Sequence, residues 1–542
     1  MRSPTDDAPL PEDLAPDQTC YDTDHETGEN NIQVFGLDIH NPVFPISATL
    51  ILVFVISALA FPEKASDWLL AARNGVLSRA DWLFILVTNV AVLFTAVLAF
   101  TGFGKIRLGG DDAKPEFSTR SWLAMLFSAG VGIGMLFYGA AEPLAYYTGW
   151  SGTPLGTEPL TANAQRLAFS ATIFHWGLTP WAVYAVIGLS LAFFTFNKGL
   201  PLTVRSIFYP LLGDRVWGWP GHIIDLAAVI ATLFGLATSL GLGAKQAASG
   251  LGFLFGIGDG LQTQVLLIVG ITAMAIFSVV RGLEGGVKVL SNVNIALALV
   301  LLVFLIAAGP TASILSSYLP NAGAYIADSF RLSNWVGRQD QEWFHGWTIF
   351  YWAWWVSWSP FVGMFIARVS RGRTIREFLF AVLVIPTLVA IVWFSSFGTA
   401  AIEQVQGDIG SLPDGITDVS LVLFHTLENL PFPRVSAFFA IVLLIIFFVT
   451  SSDSGSLVID SITAGGKLDA PVPQRVFWAT MEGLVAIVLL VGGGSAALSA
   501  LQAGTIAAGL PFAFVVLLAC VSLVMGLKDE KHILDDADAE PH

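Results

Sequence analysis

The chain has 542 residues and a formal charge of −15, and 55% of its residues are hydrophobic while only 12% are charged. Soluble domains carry roughly 25% charged residues, so this composition excludes a single soluble core and predicts many segments buried in a membrane. Cys20 and Cys520 are the only cysteines, and the soluble parts hold no nucleophile–base arrangement, phosphate-binding loop or metal cluster. We therefore predict neither an enzyme nor a bound cofactor nor a nucleic-acid partner.

The first 40 residues form an acidic segment, in which Arg2 is the only lysine or arginine against ten aspartates and glutamates. The segment lacks apolar periodicity, so we expect residues 1–40 to be a disordered tail. A membrane-spanning helix needs about 20 mostly apolar residues, and twelve such stretches follow along the chain. They lie at 42–61, 82–103, 121–147, 167–196, 223–252, 264–280, 292–309, 343–367, 376–399, 434–459, 475–493 and 501–527.

Lysine and arginine mark the loops on one side of the predicted membrane. The loops after the second, fourth, sixth, eighth and tenth stretches are enriched in them, while the loop at 400–433 on the opposite side has none. Positively charged loops tend to stay in the cytoplasm. We therefore expect a multi-pass protein of a bacterial inner membrane with both termini in the cytoplasm.

Two of the stretches contain sequences that interrupt helices. The third contains GVGIG at 130–134, and the eighth contains SWSP at 357–360, where we expect the helix to break. They are five stretches apart, which fits two inverted repeats with a binding site at their interface. Glycine and proline are also common in membrane helices without such a role.

This pattern predicts an all-α membrane protein with twelve transmembrane helices. The mildly apolar segment between the seventh and eighth stretches is predicted to form an amphipathic helix at the membrane interface. The predicted regions are a cytoplasmic tail at 1–40, two accessory helices at 41–120, a first repeat at 121–310, the interfacial helix at 311–341, a second repeat at 342–527 and a short acidic cytoplasmic tail at 528–542.

Five segments of the sequence resemble the betaine/choline/carnitine transporter family, over about residues 35 to 525. They are SAGVGIGMLFYGAAEPLAYY at 128–147, FHWGLTPWAVYAVIGLSLAFFTF at 174–196, ATLFGLATSLGLG at 231–243, YWAWWVSWSPFVGMFIARVSRGRTIREF at 351–378 and FFVTSSDSGS at 447–456. The resemblance implies an inverted five-plus-five repeat of the LeuT-like kind, preceded by two extra helices. It also implies a homotrimer.

Aromatic residues of the fourth and eighth stretches are the candidate substrate contacts. Trp176, Trp181 and Tyr184 fall roughly on one side of a helix, allowing for a distortion at Pro180. The resemblance implies that these three residues and Trp355 surround a trimethylammonium group, which offers no N–H and is held by π faces. The alternative is an interfacial aromatic belt or core packing. The resemblance also places four residues along the substrate path or gate: Trp352, Trp354, Trp358 and Phe361.

The glycine-rich part of the third stretch is the second candidate contact. Glycine lets an unwound backbone approach a ligand closely, and freed N–H groups can donate to a carboxylate. No acidic residue lies between Trp122 and Ala141, whereas choline importers of the family tend to carry an aspartate here. This favours a zwitterion, either glycine betaine or dimethylsulfoniopropionate, while close helix packing is the alternative role. The predicted contacts are Gly130, Val131, Gly132 and Gly134.

Hydroxyls in the tenth stretch are candidate ligands for sodium, which favours hard oxygen atoms as other hard cations do. The resemblance implies that Thr450 and Ser451 bind one sodium ion. It adds the backbone carbonyls of Ser128, Val131 and Phe447 to this site. The alternative is that both hydroxyls bond only to their own helix.

A second sodium site is also implied by the resemblance. It would use the hydroxyls of Thr232 and Ser239 with the ring of Phe361. Leu236 stands where the family has another hydroxyl, and this departure makes the presence of the second ion an open question.

The sequence therefore predicts a sodium-coupled symporter that imports a zwitterionic onium solute by alternating access. The alternatives are a proton-coupled or exchange transporter of choline or carnitine, and an osmosensing membrane protein. Ionisable residues inside the stretches are functional hypotheses, and a proton relay through His175 is weighed against a structural histidine. The other four are Glu142, interpreted as structural, Lys245, Asp453 and Glu482.

Overall fold

The computed structural model describes residues 20–130, 132–281, 288–494 and 497–539. An antiparallel hairpin of β1 (Asn31–Val34) and β2 (Leu37–His40) precedes the helices. The helices are α1 (Val43–Ala60), α2 (Pro62–Phe100), α3 (Thr119–Gly130), α4 (Ile133–Tyr138), α5 (Ala141–Thr148), α6 (Ala162–Trp176), α7 (Leu178–Phe196), α8 (Tyr209–Leu212), α9 (Trp219–Phe255), α10 (Leu261–Arg281), α11 (Lys288–Ala308), α12 (Thr311–Leu332), α13 (Gln341–Trp343), α14 (Phe350–Arg368), α15 (Ile375–Gln406), α16 (Val422–Glu428), α17 (Pro433–Thr463), α18 (Val472–Gly493) and α19 (Ala497–Ala539). A π-helical turn at Phe344–Ile349 leads into α14.

Nine helical segments in the described ranges are long and apolar enough to cross a membrane, with α6 and α7 counted as one. The number is ten if α11 and α12, which meet at a bend of 112°, form one span. The predicted all-α membrane fold is confirmed. The number twelve stays a prediction, because the seventh stretch (α11) counts only as part of that bent pair, and the third and eighth stretches, which correspond to α3–α5 and α14, are not counted at all.

The third stretch is interrupted, as its glycines predict. Helix α3 ends at Gly130, Gly132 is fully extended at φ −145° and ψ −176°, and α4 begins at Ile133. Val131 lies outside the described residues. A backbone that leaves the helix here frees N–H and C=O groups, which at membrane depth are tolerated only around a cavity or inside protein.

The eighth stretch is not interrupted at 357–360, so the predicted helix break there is wrong. Helix α14 runs through Pro360 without a gap. Proline has no N–H to donate to the carbonyl four residues earlier, and the Ser359 hydroxyl donates to that carbonyl of Val356 at 2.7 Å instead. This substitute bond allows the helix to continue.

The fourth stretch breaks three residues before the predicted distortion at Pro180. Helix α6 ends at Trp176, and Gly177 adopts the non-helical angles φ −93° and ψ −134°. Pro180 instead lies in the first turn of α7, where proline is tolerated because the first N–H groups of a helix lack intrahelical partners. The amide N–H of Leu178 faces the Tyr325 hydroxyl of α12 at 3.3 Å.

The predicted disordered N-terminal tail does not extend to residue 40. Residues 20–40 contain the hairpin and pack against other loops of the protein. Asn31 donates from its side chain to the carbonyl of Ala464 at 2.8 Å, and Asp38 pairs with Lys467 at 2.7 Å. Acidic composition alone missed this structure because the carboxylates have partners far away in the sequence.

At the other end of the chain, α19 continues to Ala539, within the segment predicted as a short acidic tail at 528–542. Glu530 is buried and pairs with Lys198 at 2.7 Å. Earlier in the chain, α12 lies within the segment predicted as an amphipathic helix at 311–341, and it exposes Leu319 and Phe330 while Tyr325 and Asp328 are buried. Its position at a membrane interface stays a prediction.

Helix α14 lies at the centre of the molecule, where it packs against α7, α9 and α19. Helix α17 packs against α9, and α4 contacts both α9 and α17. The interrupted third stretch, the fourth, the eighth and the tenth therefore meet in one region. The packing of these helices therefore brings the candidate residues together.

Candidate functional site

A cavity of about 160 Å³ lies where these helices meet. It touches Gly132 and Gly134 beside the interruption, Trp176 at the end of α6, Trp355 on α14 and Thr450 on α17. The sequence thus identified residues from four separate helices that do line one space. None of the described residues that line it carries a formal charge.

Four aromatic residues form one end of the cavity, which we call the cage: Trp176, Trp181, Tyr184 and Trp355. The rings of Trp176 and Trp355 meet edge to face with centroids 4.8 Å apart, and those of Trp181 and Tyr184 do so at 5.3 Å. Tyr184 and Trp355 are 6.3 Å apart at 81°. Between 3% and 8% of each side chain is exposed, which excludes a lipid-facing belt. The residues predicted from spacing and resemblance are therefore together.

Hydrogen bonds fix the orientation of both tryptophans at the contact between α6 and α14. The indole N–H of Trp355 donates to the carbonyl of His175 at 2.8 Å. Because α6 ends one residue later, its last carbonyls lack partners within the helix, and Trp355 uses one of them. The indole N–H of Trp176 donates to Glu142 Oε2, also at 2.8 Å.

Gly134 has a steric reason to be glycine. A Cβ atom at this position would lie 2.5 Å from the ring of Trp176 and 3.0 Å from that of Trp354. At Gly132 the same atom would meet nothing within 4 Å. The missing side chain at 134 therefore makes room for the cage, whereas Gly132 lies at open space beside the cavity. Gly130 is the last residue of α3 and, like Val131, is not placed at the cavity by the described atoms.

Three of the four predicted path residues line the cavity: Trp354, Trp358 and Phe361. Trp352 does not line the cavity, so the cavity gives its predicted place on the path no support. It is completely buried and packs edge to face on Phe174 at 5.0 Å. Trp352 is a packing residue on the other side of α14.

The hydroxyl-bearing residues Thr450 and Ser451 line the cavity together with Phe447. The Thr450 hydroxyl donates to the carbonyls of Ile446 at 3.0 Å and Phe447 at 3.1 Å. The two carbonyls share the one hydroxyl proton, so the lone pairs of the hydroxyl oxygen stay available to a cation. The bond to the helix and the predicted ligand role are therefore compatible. Ser128 lies in the last turns of α3, and its side chain is outside the described atoms.

The residues of the doubtful second sodium site are not brought together at this cavity. Phe361 lines it, but Thr232 and Ser239 do not. Ser239 donates to the carbonyl of Gly235 in its own helix at 3.3 Å. The Thr232 hydroxyl is buried and finds no partner among the described residues.

The ionisable residues in the helices have close partners. His175 contacts Glu142 through Nδ1 at 2.9 Å and the Thr348 hydroxyl through Nε2 at 3.0 Å, which agrees with a structural histidine. Lys245 reaches Asp418 in the loop after α15 at 3.2 Å. Burial raises the pKa of Asp418, but hydrogen bonds from Ser420 and the charge of Lys245 outweigh this effect and lower it.

Two cavity residues with polar side chains were missed by sequence reasoning. Asn294 on α11 lines the cavity, and its Oδ1 atom is buried without a partner in the described part of the chain. Ser454, one turn after Thr450, also lines it. An amide inside an apolar helix and a hydroxyl at helical spacing were the available signals.

Comparison with known proteins agrees with this geometry. Residues 42–532 match the model of the family described as "BCCT, betaine/carnitine/choline family transporter". The chain is 57% identical over 511 residues to glycine betaine transporter 1 of Vibrio parahaemolyticus, covering 94% of this chain and 98% of the relative. It is 57% identical to a glycine betaine/proline/choline/ectoine transporter of the same species, covering 94% and 91%.

A glycine betaine transporter of Acinetobacter baylyi is 42% identical over 494 residues, covering 91% of this chain and 74% of the relative. These matches extend over nearly all of the helices described above. The chain belongs to the betaine/carnitine/choline family of transporters.

Proposed function

We propose that the protein is a sodium-coupled symporter that imports a zwitterionic onium solute by alternating access. The solute is glycine betaine or dimethylsulfoniopropionate. Two of the relatives named above are a glycine betaine transporter and a glycine betaine/proline/choline/ectoine transporter. The identity of the solute and of the coupling ion is argued from the groups that line the cavity.

The single observation that carries the proposal is the cage, together with the hydroxyls that line the same cavity. A trimethylammonium or dimethylsulfonium group cannot donate an N–H hydrogen bond, so π faces and dispersion must hold it. Trp176 and Trp355 offer such faces, and Thr450 and Ser451 offer oxygen ligands to a sodium ion. One space thus has room for an organic cation and an inorganic one.

The absence of charged groups from the described cavity lining supports a solute without net charge. A cationic substrate such as choline would leave its charge without an anion among the described residues of the lining, which is costly in an apolar interior. A zwitterion brings its own carboxylate. The first N–H groups of α4, which follows the extended Gly132, lack partners within the helix and could donate to that carboxylate.

Coupling follows from the interruption in the third stretch. Sodium at Thr450 and Ser451 would stabilise the unwound backbone between α3 and α4, which also contacts the solute. Each ligand then favours the other by the same factor. Rocking of one repeat against the other would expose the site on the two sides in turn. A homotrimer in a bacterial inner membrane, with both termini in the cytoplasm, completes the proposal.

Uptake of labelled betaine into proteoliposomes tests the function. An inward sodium gradient should drive uptake, and replacement of sodium by potassium should abolish it. Unlabelled dimethylsulfoniopropionate should compete strongly, while choline, carnitine and proline should compete less. Uptake that persists without sodium and follows a proton gradient would contradict sodium coupling and favour the proton-coupled alternative.

A further inference from the structure

Glu142 lies directly behind the cage and is completely buried at the start of α5. Its Oε2 atom accepts hydrogen bonds from the indole of Trp176 at 2.8 Å and the hydroxyl of Tyr351 at 2.5 Å. Its Oε1 atom contacts the hydroxyl of Tyr146 and Nδ1 of His175, both at 2.9 Å. One carboxyl group therefore joins the third, fourth and eighth stretches.

An ionised carboxylate satisfies the whole hydrogen-bond pattern, and we take Glu142 in this form. An indole N–H can only donate, and an ionised carboxylate can only accept. A protonated Glu142 would instead have to donate its hydrogen to the Tyr146 hydroxyl or to Nδ1 of His175, which are themselves 3.2 Å apart. Thr348 can donate its hydroxyl proton to Nε2 of His175, so a neutral imidazole with its proton on Nδ1 satisfies both ring contacts.

Among the described residues, His175 is the one ion-pair partner that Glu142 has. With a neutral imidazole, the group of residues around Glu142 keeps a net negative charge. The indole of Trp176, which is one of the four cage rings, lies between that charge and the space inside the cage. Electrostatic attraction between such a charge and a cation is strong where water is excluded, and donation of the indole N–H to a carboxylate makes the π face of the ring more negative.

We propose that Glu142 gives the cage its charge selectivity. Because of this residue, the cage prefers an onium head over a neutral group of the same shape. Glu142 acts through Trp176 and does not touch the solute, so it is a positioning and specificity residue. This inference rests on the proposed function, because it presupposes that the cage holds the onium group. It explains how a cavity without charged lining residues distinguishes a cation from a hydrocarbon.

The test compares two solutes that differ in a single atom. Betaine has a trimethylammonium head, and tert-butylacetate has the same shape with carbon in place of nitrogen and no positive charge. Binding of each to the purified full-length protein is measured by competition against labelled betaine in saturating sodium. The readout is the ratio of the two affinities, which general damage to packing would leave unchanged.

Glu142→Gln keeps the size of the side chain and removes the charge. We expect the preference for betaine to fall about tenfold, which is about 1.4 kcal/mol, mostly through weaker betaine binding. Glu142→Asp retains the charge and should keep the preference within about twofold. The double variant Tyr146→Phe and Tyr351→Phe removes two donors but no charge, and it should also keep the preference.

An equal loss of affinity for both solutes in Glu142→Gln would overturn the inference and leave Glu142 a packing residue. If that variant does not fold, a collapse of the preference in the double phenylalanine variant would overturn it as well, and a retained preference would support it. A wild-type protein that binds neither solute would reject the proposed function itself, so the two failures are distinguishable.

Discussion

The two ends of the cavity are built differently. At the cage end, the indoles of Trp176 and Trp355 donate to fixed acceptors on other elements, at 2.8 Å in both cases. At the hydroxyl end, Thr450 bonds only to its own helix and lies near the interrupted third stretch. The cage is thus preorganised before any ligand arrives. Under the proposed function, the hydroxyl end instead depends on a sodium ion to hold α17 and the interruption together.

The largest effect should come from removal of a cage ring. Trp355→Ala deletes a desolvated cation–π contact worth about 2 kcal/mol or more, so we expect every accepted onium solute to bind at least about 30-fold more weakly. Competition binding in saturating sodium measures this loss. An unchanged affinity would reject the assignment of Trp355 to the cage.

A smaller effect is expected at the hydroxyl end. Ser451→Ala removes one oxygen ligand of the proposed sodium ion, which resembles the loss of a hydrogen bond to a charged group at about 1.5 kcal/mol or more. The sodium concentration for half-maximal uptake should therefore rise about tenfold, while betaine affinity in saturating sodium changes little. Ser456→Ala is the matched control, because its buried hydroxyl bonds to the carbonyl of Asp453. An equal rise in both variants would contradict the ligand role.

The fit between the third stretch and the cage provides a third prediction. In Gly134→Ala, the new Cβ would lie 2.5 Å from the ring of Trp176, so that ring must leave its preferred rotamer at a cost of about 1 kcal/mol. Betaine affinity should fall about fivefold. Gly132→Ala meets open space and should bind normally. Similar losses in both variants would mean that the glycines act through backbone flexibility instead.

The smallest effect on binding should come from Trp352. It packs outside the cavity, so Trp352→Phe should lower the thermal unfolding temperature while betaine affinity stays within about twofold, as expected for a core substitution away from a site. Unfolding measured with and without betaine separates the two effects. A loss of affinity like that of Trp355→Ala would return Trp352 to the substrate path.

Much of the site was predictable because aromatic spacing and the family resemblance both identify the cage. The position of Trp352 outside the cavity could have been foreseen, since at about 100° per residue it points away from the face shared by Trp354, Trp358 and Phe361. The continuous helix at Pro360 could not be foreseen as easily, because it depends on the rotamer that brings the Ser359 hydroxyl to the carbonyl of Val356.

The roles that sequence reasoning assigned least well depend on tertiary contacts. Glu142 was interpreted as structural, and only the fold shows that its carboxylate meets Trp176 and Tyr351, which are far away in the chain. The N-terminal hairpin was missed for the same reason, since the partners of Asn31 and Asp38 lie more than 400 residues later. The amino-acid composition gives the number of charged residues, but it does not show which of them pair with residues far away in the sequence.

The most direct test of the central claim is the mutual dependence of solute and sodium binding. Tryptophan fluorescence of the purified protein should report betaine binding at a series of sodium concentrations, with potassium keeping the ionic strength constant. We expect the dissociation constant of betaine to fall as sodium rises, and betaine to increase sodium affinity by the same factor. A betaine dissociation constant that does not change with sodium would contradict a shared cavity in which the ion completes the solute site.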